Sequence, residues 1–392
     1  MKILIDKAQR LWKISQPALG PMRFAKKRLI SRGVDVIDLG SFIPEVPEAV
    51  AQSIERSKKF PNTIAADEHL ISHLKQKIVD KHQPLSAIGI DPETEIVITP
   101  GIQMTASLLT LSTLNPGDVA AFPDPGMQYF RTAVCLADAG PGTYALSERN
   151  DYIPNISLLA ERSRKKLKML FVNYPHDPTT STVDSYFYRD LLKSIKFENV
   201  LIVSDSAYIH PGDRDGVSIL HVKGSRKKAV ELHSFSTVFG IKGLGFAVGH
   251  RDVILVLGDL LRALGFCPDV YRAGLVSTAL DNSLEIFEQR AESLRTRREI
   301  AASYLKELGW RIRGSKNTPF LWVKPTARSS SLALARRLFT KAGVRVAPGS
   351  DFGEGGEGWL RLTLRPDEGI LAEALKRIAH HSKIWQRKYR PQ

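Results

Sequence analysis

Cysteine is nearly absent from this 392-residue chain. Cys135 and Cys267 stand far apart and isolated, which excludes a disulfide framework and paired metal-ligand spacing, and a reducing cytoplasm is the expected compartment. No apolar run reaches the roughly 18 residues a membrane span requires, and Met1–Asp6 is too short and polar to read as a secretory leader. Internal repeats and low-complexity tracts are missing too. Charge is lopsided rather than scarce, at +15 net, with basic clusters at Arg23–Arg28, Arg162–Lys168, Arg226–Lys228, Arg295–Arg298 and Lys383–Arg390. They are spread along the chain and no nucleic-acid module accompanies them, so a solvated basic surface is expected rather than a nucleic-acid interface. Hydrophobic residues at 43% and charged residues at 25% fit an ordinary globular protein.

What is present is an alternation of helical stretches with short apolar runs, the pattern of an α/β fold with a mostly parallel sheet. Helices are predicted over 46–59, 66–82, 103–113 and 184–196. Strands are predicted at Val34–Leu39, Glu95–Ile98, Val119–Phe122, Met169–Val172, Val200–Val203, Val230–Leu232 and Phe246–Val248. Several strands end at a small or polar residue before a turn, where open α/β sheets build ligand sites. A long amphipathic helix over 284–308 precedes an α+β pattern of strand 320–323, helix 331–342, strands 344–346 and 359–364, and helix 367–381. The expected division is a large domain over 46–284 and a smaller one from both chain ends, 1–45 plus 285–392, bridged by the long helix. Gly243–Gly249 looks like a dinucleotide fingerprint, but its spacing is wrong and it runs into a strand.

Seven ordered segments carry a resemblance: VDVIDLG (34–40), LNPGDVAAFPDPG (114–126), FVNYPHDPTT (171–180), LIVSDSAY (201–208), AVELHSFS (229–236), GLGFAVG (243–249) and VAPGSDFGEGGEGWLRL (346–362). Each alone is weak; together, in order, they make the chain resemble class I/II aminotransferases, closest to the LL-diaminopimelate and aspartate aminotransferase branch. The resemblance implies the fold-type-I architecture, pyridoxal phosphate (PLP) or its aminated form as cofactor, and a homodimer acting on an amino acid or another small carboxylate. Asp205 matches the carboxylate that pairs with the pyridine nitrogen. Tyr208 matches the tyrosine on the ring's phenolic oxygen, and Ser234 and Ser236 match phosphate-contacting hydroxyls. Arg361 matches the arginine that grips the substrate carboxylate, a task suited to its planar fork. A strand-end cap at Asp205 and an internal salt bridge at Arg361 are the structural alternatives.

The departures are sharper. Where the family has its Schiff-base lysine, this chain has Thr237, and a hydroxyl forms no imine with an aldehyde. The family asparagine before Pro-Thr-Gly is Asp177, whose carboxylate would repel a phenolate. The ring-stacking aromatic is Met127, which still offers sulfur contact. The phosphate cup reads Gly101-Ile102-Gln103, and the phosphate-binding arginine after Gly243 is gone. Phe42 replaces a glycine that lets backbone approach the substrate, and Thr63 replaces a tyrosine that reaches across the dimer. A cofactor bound weakly or not at all is expected, and with it little transaminase activity. Lys242, five residues past Thr237, is the alternative amine; His176 and His233 are poor replacements for the lysine.

Overall fold

Six of the apolar runs and one further strand pair edge to edge in the computed structural model, which describes residues 8–14, 33, 35–41, 46–57, 68–155, 166–195, 199–326 and 329–388. They are β2 (Ile96–Thr99), β3 (Val119–Asp124), β4 (Gly140–Ala145), β5 (Leu167–Asn173), β6 (Leu201–Asp205), β7 (Ala229–Ser234) and β8 (Gly245–Gly249), in the order β2-β8-β7-β6-β5-β3-β4. β4, β3, β5, β6 and β7 run parallel to their neighbours, while β8 pairs antiparallel with both β7 and β2. Every residue of β7 and β8 is buried, as expected of central strands covered on both faces. Helices α1 (Glu48–Ser57), α2 (Glu68–Lys81), α3 (Ile102–Thr113), α4 (Tyr129–Leu136), α5 (Ser185–Ser194), α6 (Phe235–Phe239), α7 (Arg251–Ala263) and α8 (Val270–Asp281) belong to this part of the chain.

β4 escaped the sequence reading because Gly140-Pro141-Gly142 reads as a loop. It lies at the edge of the sheet, where a proline removes no essential ladder bond. α4, α7 and α8 were not anticipated either.

α9 (Ser283–Glu307) follows, close to the expected 284–308. Its Ile286 enters the core under the large sheet, whereas Leu294, Ala301 and Leu305 enter a second core. That second core also takes Ile37 and Leu39 from near the start of the chain. β1 (Ile37–Asp38) pairs in parallel with β11 (Val344–Arg345), tying the two ends together. A four-stranded antiparallel sheet completes this part, ordered β12 (Ala347–Pro348), β13 (Leu360–Thr363), β10 (Phe320–Lys324), β9 (Arg311–Arg313). α10 (Ser331–Arg337) is shorter than the 331–342 expected: residues Leu338–Ala342 widen into a π turn that ends at Gly343 in the left-handed region. α11 (Glu368–Lys388) closes the described chain.

The carboxyl ends of β2, β5, β6 and β7 and the start of β8 lie at one edge of the large sheet, where parallel sheets place their ligand sites. Gly245 is critical there, because a Cβ on it would lie 2.4 Å from the His233 carbonyl oxygen. Gly245→Ala is therefore expected to destabilise the fold by about 1–3 kcal/mol, the usual range for overpacking, read as a lowered midpoint in urea denaturation.

Candidate functional site

A cavity of about 500 Å³ opens at that sheet edge. One wall is the turn from β2 into α3. Gly101 has φ 107°, a conformation suited to glycine, and α3 begins at Ile102 with no side chain capping its first N–H groups. The start of α3 thus presents a partial positive charge beside the cavity. Ile102 and Met127 line the space rather than fill it.

A second part of the lining is the turn from β7 into α6. Ser234 caps α6, its Oγ accepting from the Thr237 N–H at 3.1 Å. The Thr237 hydroxyl donates to the same oxygen at 3.1 Å. The carbonyls of Thr237 and Val238 accept from Arg290 on α9 at 2.9 and 3.1 Å. Residue 237 is thus a satisfied member of a capped helical turn with no nucleophilic amine. Ser236 lines the cavity, as does Gly243, whose φ is 79° and which lies against the guanidinium of Arg272 on α8.

Beyond β7, at the ends of β6 and β5, lies a polar set. Asp205, at the end of β6, accepts from the Ala207 N–H at 2.9 Å with one oxygen and from the Tyr129 hydroxyl with the other. Burial drives its carboxyl up to about 6 against the opposing pull of those two donors, and the nearby Asp177 adds to the rise. Burial first, then Asp205, pushes the Tyr129 phenol well above its ordinary value, so that it stays a donor. A carboxylate offers about four lone-pair positions, so Asp205 keeps acceptor capacity toward the cavity.

Asp177, in the loop after β5, faces Arg361 of β13. The Arg361 Nη1 donates to both Asp177 oxygens at 2.7 Å, and the Tyr208 hydroxyl donates to Asp177 Oδ2 at 2.7 Å. The pair is almost wholly withdrawn from solvent, with side-chain exposures of 10% and 2%. Rings of Phe352 and Phe320 lie 4.7 and 5.2 Å from the guanidinium carbon. Burial works to lower the Arg361 guanidinium, but Asp177 outweighs it and holds the group above its ordinary value. Burial and the Asp177 charge both push the Tyr208 phenol well up. Removing one member of a buried pair like this typically costs about 3–5 kcal/mol.

The structure brings Gly101, Met127, Asp177, Asp205, Tyr208, Ser234, Ser236, Thr237 and Arg361 together around one cavity. Arg361 makes an internal salt bridge with Asp177 there. Lys242, the alternative amine, is not among the lining residues: its side chain is exposed, because the turn at Gly243 presents only backbone to the cavity. His233 points to the other face of β7 and pairs with the fully buried Glu231 at 3.1 Å. His176 is bonded to Thr179 at 2.7 Å, and burial pushes it down to about 3, so it is neutral and internal. Phe42 and Thr63 lie outside the described residues, as does the first basic cluster, Arg23–Arg28. Sequence reasoning missed Tyr129 and Arg290. Tyr129 had a local signal, an aromatic two residues after Met127; Arg290 had none, lying on a distant helix.

The residues do not fit a covalently held PLP. The hydroxyl at 237 is turned to Ser234, the nearest lysine in sequence faces solvent, and Arg361 is already neutralised by Asp177. Asp205 retains acceptor capacity toward the cavity.

Comparison with known proteins accounts for the frame. The family model for aminotransferase class I and II matches residues 34–378. The LL-diaminopimelate aminotransferase of Aquifex aeolicus is 32% identical over 367 residues, covering 90% of this chain and 93% of its own. That of Halothermothrix orenii is 30% identical over 375 residues, covering 92% and 96%. Among solved structures, an aspartate aminotransferase double mutant from Thermus thermophilus superposes with a TM-score of 0.85 at 23% identity, covering 96% of this chain and 100% of its own. Substrate-bound BacF from Bacillus subtilis gives 0.83 at 23% identity, covering 97% and 98%. At such identities the structural likeness speaks for the fold. By fold and by sequence, this chain belongs to the class I and II aminotransferases, a PLP-dependent family of fold type I.

Proposed function

We propose that this chain is a member of the aminotransferase family that does not carry out imine-based transamination, and that its cavity holds a small molecule non-covalently in a binding or regulatory role. The observation that carries this reading is the state of residue 237: a threonine, not an amine, bonded back into its own helix cap. Transamination in the family needs a group there that forms an imine and then moves a proton, and a hydroxyl does neither at neutral pH.

Asp205 supports the binding half of the proposal. Its folded value of about 6 lies above the roughly 3.9 of an unfolded aspartate. A raised carboxylate penalises the folded state, in full above about pH 6 and not at all below about pH 4. The two-unit gap corresponds to about 3 kcal/mol at neutral pH. A buried charge that weakens the fold fits a role in recognition, where a ligand's N–H would meet it. This also favours a second reading, in which an aminated or dephosphorylated form of the cofactor binds without an imine and supports some transfer.

A homodimer accompanies the proposal, supported by exposed apolar side chains at Met104 and Leu111 on α3, Leu264 after α7 and Tyr271 on α8. Among the described residues no helix is long and apolar enough to cross a membrane, and a cytoplasmic location is part of the reading.

Three outcomes are expected. Purified protein supplied with PLP transfers no amino group from LL-diaminopimelate or L-aspartate to 2-oxoglutarate; robust exchange overturns the proposal. Asp205→Asn is more stable than the parent by about 1–3 kcal/mol at pH 8, and the advantage shrinks below pH 6 and is gone near pH 4, by urea denaturation across pH. Sedimentation equilibrium gives twice the mass of one chain.

A further inference from the structure

The chemical class of the ligand is set at the Arg361 end of the cavity. A buried guanidinium ordinarily serves to receive a carboxylate. Here a carboxylate is resident: both Asp177 oxygens lie 2.7 Å from Arg361 Nη1, and Tyr208 holds Asp177 in place at 2.7 Å. The rings of Phe320 and Phe352 flank the guanidinium and restrict any movement toward a second anion. Of the described lining residues, Asp177 and Asp205 are acidic and Arg361 is basic. An incoming carboxylate would add a further negative charge, or would have to displace Asp177 and leave it buried without its partner. Among the described residues two positive influences oppose this. The start of α3 contributes roughly half a unit charge. Arg272, beside Gly243, is half exposed, screened by solvent, and shared with Asp269 at 3.9 Å. Neither lies against Asp177 to replace Arg361. A ligand carrying N–H groups or a cationic nitrogen meets the opposite situation, with acceptor positions at Asp205 and Asp177.

We infer that Asp177 is the specificity-determining residue of this cavity: it takes the place of a ligand carboxylate on Arg361, so the site selects nitrogen-bearing small molecules that lack a carboxylate. The inference rests on the non-covalent binding reading and narrows it.

The test uses two probes of one shape that differ in the terminal group, 3-phenylpropylamine and 3-phenylpropionate, titrated calorimetrically into the full-length protein. The parent is expected to bind the amine at least tenfold more tightly than the acid. Asp177→Asn is expected to gain at least tenfold for the acid, and adding Arg361→Gln to that variant to abolish the gain. Equal binding of the two probes by the parent, binding of neither, or a gain for the acid that persists without Arg361 overturns the inference. If Asp177→Asn fails to fold by circular dichroism, the preference of the parent protein decides alone. Amino-group transfer is assayed separately. Transfer with the amine preferred sinks only the functional proposal, and an inert protein that prefers the acid sinks only this inference.

Discussion

A guanidinium taken out of water must keep an opposite charge within reach, and in this protein Asp177 provides it for Arg361. The remaining polar geometry of the cavity follows from that contact. Tyr208 turns its hydroxyl to Asp177, and Phe320 and Phe352 cover the guanidinium. Asp205 sits close enough to Asp177 to feel its charge and is kept in place by Tyr129 and the Ala207 N–H. Buried ion pairs of this kind add little net stability against an apolar replacement, yet breaking one is expensive, so the arrangement is better understood as fixing geometry than as strengthening the fold.

The frame of the family survives because it depends on backbone turns and strand order rather than on the reacting group. The turn at Gly101, the cap at Ser234 and the carboxylate at the end of β6 are all in position. Threonine at 237 is accommodated without disturbance because its hydroxyl finds Ser234 and its carbonyl finds Arg290. The site has therefore not decayed into an unsatisfied hole; its polar groups have found one another.

Much of this was legible in the sequence. The strands ending at Asp205 and Ser234 and the long helix expected from 284 follow from apolar runs and punctuation, whereas the departures at Thr237 and Asp177 showed only against the family resemblance. The Asp177–Arg361 contact was not, since it joins residues 184 positions apart and the sequence left Arg361 divided between ligand and internal partner. Tyr129 was overlooked because Met127 occupied the position where an aromatic was sought. β4 was hidden by its glycines and by Pro141, a residue that an edge strand tolerates and a central one does not. Lys242 was close to Thr237 along the chain, but a turn through Gly243 directs its side chain to solvent. Proximity in sequence is a poor guide inside a tight loop.

The α9 helix and the 177–361 contact together bear on motion. Asp177 hangs from the large sheet and Arg361 from the small one, and α9 has one end in each core. An enzyme that clamps down on its substrate leaves its two lobes apart until the substrate joins them. Here a contact between the protein's own charges already links the large sheet to the small one, so that link is complete without a substrate carboxylate.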